Sequence, residues 1–152
     1  MKDVIEQASS LGAANFAATS GRVPERFKVL RDAAPATFAG YALMRAAVMR
    51  EEDDGGALDL RTKEFVFVLL DALAGNREGA LSHLENAVRL GLTADELAEG
   101  LTQVIMVGGI TTWNLVGADV MRRAMELTSG PPVAGANSGS AVRATIVPPR
   151  LS

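Results

Sequence analysis

The sequence predicts an all-α fold, a bundle of about six to seven helices, on three observations. Aromatic residues make up only 5% of the chain while Ala, Leu, Val and Gly abound, which suits close-packed helices better than a sheet that needs rows of β-branched and aromatic side chains. Apolar residues recur at helical spacing through most of the chain. Proline, glycine and capping residues fall between those runs. With 152 residues, 48% of them hydrophobic, one domain can bury a core without disulfides.

The first helix is expected over residues 2 to about 18, with Val4, Ile5, Ala8, Leu11 and Phe16 near helical spacing and Ser20-Gly21 as punctuation. Pro24 opens a second, short helix that carries Phe27, Val29, Leu30 and Ala33 up to Pro35. A third runs from about Ala36 to Glu51 and gives way to the acidic, glycine-ended loop Glu52-Asp53-Asp54-Gly55-Gly56. From Leu60 to Ala74 the chain is apolar nearly all round, as for a central helix buried on several sides. Phe65-Val66-Phe67-Val68 alone also fits a strand, but its length and flanks favour helix. After Gly75-Asn76 a further helix passes through His83 to Leu90 and closes at Gly91. Thr93-Ala94-Asp95-Glu96 is a capping box that starts the next helix, which reaches about Val107 before Gly108-Gly109 breaks or kinks the chain. Thr112 to Leu127 forms the last helix, on Trp113, Val116, Val120, Met121 and Ala124. Residues 1–128 therefore form a single helical domain. Over 129–152 the composition turns to Gly, Pro, Ser and Ala, an extended C-terminal tail that cannot fold alone and is expected to dock on a neighbouring subunit.

Several function classes drop out. Net charge is −3 and the Lys and Arg residues are scattered singly, so no basic stripe invites a nucleic acid. The N-terminus alternates charged and apolar residues without the apolar core of a secretory signal, and the longest apolar run, Phe65 to Leu70, is far shorter than the ~20 residues a membrane span requires. A cytoplasmic protein with no membrane contact is expected. No cysteine is present, which removes disulfides, thiolate metal sites and thiol nucleophiles together. One imidazole with scattered carboxylates does not make a zinc or iron site, and the glycines form no phosphate-binding fingerprint, so neither a metal nor an organic cofactor is expected.

His83 is the single histidine. Glu64 lies in the first turns of the heavily apolar helix, where a charge is costly unless paired or facing a cavity, and Asp71 follows two helical turns later on the same face. Two readings are open: Glu64 merely complements a helix N-terminus and Asp71 a surface edge, or both belong with His83 in a site.

Leu58-Asp59-Leu60-Arg61-Thr62-Lys63-Glu64, Asp71-Ala72-Leu73-Ala74-Gly75-Asn76, His83, Gly91-Leu92-Thr93-Ala94-Asp95-Glu96, Gln103-Val104 and Gly108-Gly109, in that order, resemble the carboxymuconolactone decarboxylase superfamily over about residues 36 to 127. The resemblance implies an alkylhydroperoxidase D-like helical bundle that assembles as a homo-oligomer, a trimer or a hexamer. In the alkylhydroperoxidase D branch a Cys-x-x-Cys pair falls on the positions of Asn76 and Gly79, so thiol peroxidase and disulfide reductase chemistry are excluded here. The decarboxylase branch lacks that pair and has a histidine at the position of His83. Against its usual pattern this chain has Glu64 for serine, Lys63 for arginine, Asn76 for arginine, and Gly109-Ile110-Thr111 for Gly-Val-Pro, and loss of the arginine at 76 weakens the expected grip on a dicarboxylate.

The resemblance implies a cofactor-independent lyase or isomerase that moves a proton on a small lactone, keto acid or related metabolite. His83 is the expected acid or base and Glu64 its partner, because a neighbouring carboxylate orients an imidazole and raises its basicity. Arg61, Lys63, Asn76 and Asp71 are candidates to hold the substrate, Gly108 and Gly109 would admit a ligand close to the backbone, and Trp113 is either a pocket wall or core. Tyr41 is either a proton donor or a core residue. The alternative is a non-catalytic, ligand-binding or structural homo-oligomer on the same scaffold.

Overall fold

A computed structural model describes residues 1–129, which fold into helices joined by short connections. Helix α1 (Lys2–Ser20) ends at Gly21, whose φ of 73° is the left-handed conformation glycine adopts without strain, and whose N–H donates to the Ala17 carbonyl. Pro24, with extended backbone, precedes α2 (Glu25–Ala33), and Pro35 opens α3 (Pro35–Val48), where its missing N–H costs nothing. Asp59 caps α4 (Leu60–Ala74) by accepting from the Thr62 N–H at 2.8 Å, and Asn76 caps α5 (Arg77–Arg89) through the Gly79 N–H. Thr93 and Glu96 form both halves of the expected capping box on α6 (Ala94–Gly108).

The expected last helix begins earlier than its apolar pattern suggests. Beyond Gly109 the chain enters α7 (Ile110–Thr112), widens into a π-helical turn (Trp113–Gly117) and continues as α8 (Ala118–Thr128) without leaving helical backbone angles. Helix α3 ends at Val48, short of the expected Glu51. The Lys63 ammonium takes the Arg50 carbonyl as acceptor, holding that stretch as a loop over the start of α4. The Phe65–Val68 segment is helical, and among the described residues no helix is long and apolar enough to cross a membrane. The expected tail at 129–152 lies outside the described residues but for Ser129.

Two packing units result. Helices α4, α5, α6 and α8 surround a core centred on Val68, Leu84, Leu97, Leu101, Val116 and Val120. Helices α1 to α3 close over a separate, smaller core of Phe16, Phe38 and Ala42, with Phe27 and Tyr41 packed at its edge. The α1–α3 crossing is tight: a Cβ at Gly12 would sit 1.9 Å from that of Ala42. The expectation that α4 is enclosed on several sides holds only in part, since Val66, Leu70 and Leu73 are exposed.

Candidate active site

Gly75 and Asn76 turn the chain so tightly that α4 and α5 run antiparallel as a hairpin. Contacts then step along it about a turn at a time: Asp71 against Gly79, Phe67 against His83, Glu64 against Asn86. This ladder brings together side chains nineteen positions apart and assembles the first part of the site.

Glu64 is only 1% exposed, so its carboxylate needs partners for both oxygens. One lies 2.5 Å from His83 Nδ1, and the other accepts from Asn86 Nδ2 at 3.3 Å. In the neutral imidazole, a carboxylate accepting at Nδ1 selects the tautomer with the proton on Nδ1 and the lone pair on Nε2. The ring is clamped against Phe67, with centroids 4.7 Å apart and planes at 17°. On the Nε2 side the Asp71 carboxylate is 4.0 Å away. Asp71 is itself held by Asn76, whose Nδ2 donates to Oδ1 at 2.9 Å while its Oδ1 caps α5.

His83, Asp71, Asn76 and Phe67 form one side of a cleft of about 530 Å³ between the two packing units. The opposite unit contributes Phe16, Phe27, Tyr41 and Arg45. The rings of Phe27 and Tyr41 stack at 5.0 Å, and Phe16 lies 4.9 Å from Phe27. Burial pushes the Tyr41 phenol above its usual value, the nearby Arg45 charge opposes that shift and Asp71 adds to it, so the group stays a neutral donor at physiological pH. Burial also pulls the Arg45 guanidinium below its usual value, against the favourable fields of Tyr41 and Glu64. At the rim, Arg26 and Glu78 bridge the two units at 2.7 Å.

Of the residues singled out from sequence, His83, Glu64, Asp71, Asn76 and Tyr41 are together here. The others are placed elsewhere. Arg61 pairs with Glu96 at the start of α6, and Lys63 is buried with its ammonium on the Arg50 carbonyl. Trp113 packs against the larger core, and a Cβ at Gly108 would meet Leu73 and Thr112, so that glycine serves the packing of α6. Gly109 has φ 79° and turns the chain into α7. None of these five lines the cleft. Sequence reasoning missed Asn86 and Arg45. The available signal for Arg45 was a lone charge in the otherwise uncharged run Ala36–Met49.

Comparisons with known proteins agree with this architecture. Residues 35–122 match the family described as "Carboxymuconolactone decarboxylase family". A crystal structure from Burkholderia xenovorans LB400, provisionally assigned as a carboxymuconolactone decarboxylase, superposes with a TM-score of 0.74 at 33% identity, covering 84% of this chain and 93% of that one. Among curated proteins none matches.

Proposed function

The chain belongs to the carboxymuconolactone decarboxylase family, and on that premise we propose that it is a cofactor-independent lyase or isomerase that moves a proton on a small lactone, keto acid or related metabolite. The observation that carries the reading is the 2.5 Å contact between His83 Nδ1 and the buried Glu64, on a ring that lines the cleft.

In this reading Glu64 orients and His83 reacts. With Nδ1–H held by Glu64, the Nε2 lone pair removes a proton from a carbon next to a carbonyl, and the electron pair of the C–H bond moves into the carbonyl to give an enolate. The imidazolium so formed has Glu64 at one nitrogen and Asp71 near the other. Return of the proton at a different carbon completes an isomerisation. In a decarboxylation, loss of carbon dioxide generates the same enolate and a protonated His83 supplies the proton. Phe67 fixes the ring plane, which is worth as much as the proton affinity, because proton transfer requires aligned atoms.

Hydrogen–deuterium exchange tests this. With the full chain in heavy water and a panel of lactones and keto acids, at least one compound is expected to exchange the proton next to its carbonyl, and His83→Gln is expected to slow the exchange about 10²-fold or more while leaving the helical circular dichroism unchanged. Exchange that persists undiminished in His83→Gln, or is absent for every compound, overturns the reading.

One observation favours a second role for the scaffold. Val66, Leu70 and Leu73 on α4 and Met106, Val107 and Ile110 at the α6–α7 junction are exposed in the single chain, which suits a face buried in a homo-oligomer. An oligomeric binding protein without catalysis would keep that face and dispense with a reactive His83. A trimer or hexamer by light scattering, with no exchange activity, would favour it.

A further inference from the structure

We propose that Arg45 is the receptor for a carboxylate in the cleft, and that the ligand is a small planar anion seated between the Phe27–Tyr41 stack and Phe67. The placement of the ligand's reactive carbon at His83 rests on the proton-transfer reading; the anion site itself does not.

Arg45 is 8% exposed, and a buried cation is costly unless a counter-charge accompanies it. The exposed Arg26 and Arg77 and the half-buried Arg61 and Arg123 each hold a carboxylate. Buried Arg45 holds none: among the described residues its partners are neutral oxygens and a ring. Nη1 donates to Asn15 Oδ1, and Nη2 donates to Thr19 Oγ1 at 2.8 Å and to Ser20 Oγ at 3.3 Å. The guanidinium carbon lies 4.1 Å over the Phe16 ring. Three amide and hydroxyl dipoles and a π face fix the orientation of the fork but cancel little of its charge. The one carboxylate whose field reaches it, Glu64, is already engaged by His83 and Asn86.

A fixed and uncancelled charge on the wall of a cleft is what an anion site requires, since the ligand then gains the attraction without first ordering the arginine. Tyr41 lies beside it with its phenol neutral, able to donate a second hydrogen bond to the same carboxylate. The rest of the lining chooses the ligand's body. Phe27 and Tyr41 present stacked rings on one side, and Phe67 with its stacked imidazole presents another, which favours a flat, unsaturated skeleton that can stack on them. Asp71, on the same wall as His83, disfavours a second carboxylate at that end, so the ligand is a monoanion.

Benzoate and its neutral isostere benzamide are the probes, read by the imidazole resonances of the sole histidine in the full-length protein. Benzoate is expected to shift His83 saturably, and benzamide to bind at least 10-fold more weakly. Arg45→Gln is expected to weaken benzoate at least 10-fold while leaving benzamide unchanged, and Arg45→Lys to recover only part of the loss. Equal affinity of the native protein for the two probes overturns the proposal, and this holds even if Arg45→Gln does not fold. So does a folded Arg45→Gln with undiminished benzoate binding. If Arg45-dependent benzoate binding, measured calorimetrically in His83→Gln, survives while no compound exchanges its protons, the receptor stands and the proton-transfer reading falls. Exchange that requires His83 but keeps its KM in Arg45→Gln has the reverse meaning.

Discussion

The two packing units that flank the cleft are built on different terms. The α4–α8 unit has a continuous core of fully buried aliphatic residues, and each of its first three helices opens with a side-chain cap. The α1–α3 unit has a core cluster of only three buried residues, no side-chain cap on any of its helices, and an α2 with no buried side chain at all. The firmer unit carries Glu64 and His83, and the slighter one carries Arg45 and Tyr41. Proton transfer tolerates little misplacement of the reacting atoms, whereas anion holding acts over a longer reach and survives small shifts. The family match begins at Pro35, so α3 lies inside it, while α1, which supplies the three acceptors that hold Arg45, lies outside.

The largest effect that would sharpen this contrast is kinetic. His83→Gln is expected to lower the exchange rate by about 10²–10⁴-fold with little change in KM. A change confined to KM would move the chemistry out of the larger unit. Next come two core truncations. Leu84→Ala, at a side chain with no exposed surface, should cost about 2–5 kcal/mol, and Phe38→Ala about 3–5 kcal/mol locally. They should differ in kind: guanidinium unfolding of Leu84→Ala stays a single transition at lower midpoint, whereas Phe38→Ala melts α1–α3 first and shows two. One transition in both would mean that the units fold as one.

Gly12→Ala should cost about 1–3 kcal/mol, because its methyl meets Ala42 at the helix crossing and the two backbones must part. It should also weaken benzoate binding more than it disturbs the His83 resonances. The smallest effect concerns Glu96, whose carboxyl Arg61 and the Thr93 amide and hydroxyl hold below the usual value of 4.5. A folded value below the unfolded one adds stability above about pH 4.5 that is lost as the pH falls through the lower folded value. Melting midpoints of the native chain and Glu96→Gln should therefore differ at pH 7 and converge in acid. A gap that persists at pH 2 would rule out the ion pair as its source.

Most of the architecture could be read from sequence because its signals are local. Asp59, Asn76 and Thr93 cap the helices they precede, and Gly75 and Gly91 close the helices they follow. Glu64 and His83 were found as a motif, and the α4–α5 hairpin joins them through a turn too short to allow another arrangement. Arg45 was not found, because its partners Asn15, Thr19 and Ser20 belong to a helix whose pairing with α3 rests on Gly12 meeting Ala42, a long-range fit that no periodicity encodes. The widened turn at Trp113–Gly117 was also hidden, since apolar spacing there reads as an ordinary helix while the backbone takes an extra residue into the turn. Arg61 and Lys63 attracted attention as free cations, and both are committed to neighbours distant in sequence or outside any motif.

The contact between Asp71 and Gly79 bears on what His83 can face. A Cβ at position 79 would fall 2.3 Å from Asp71 Oδ2 and 2.2 Å from Asn76 Nδ2, in space those two side chains occupy. Any side chain at position 79 would therefore have to turn Asp71 away from its place 4.0 Å from His83 Nε2, and turning Asn76 with it would uncap α5. The bare backbone at Gly79 is thus what gives the far nitrogen of His83 its acidic neighbour.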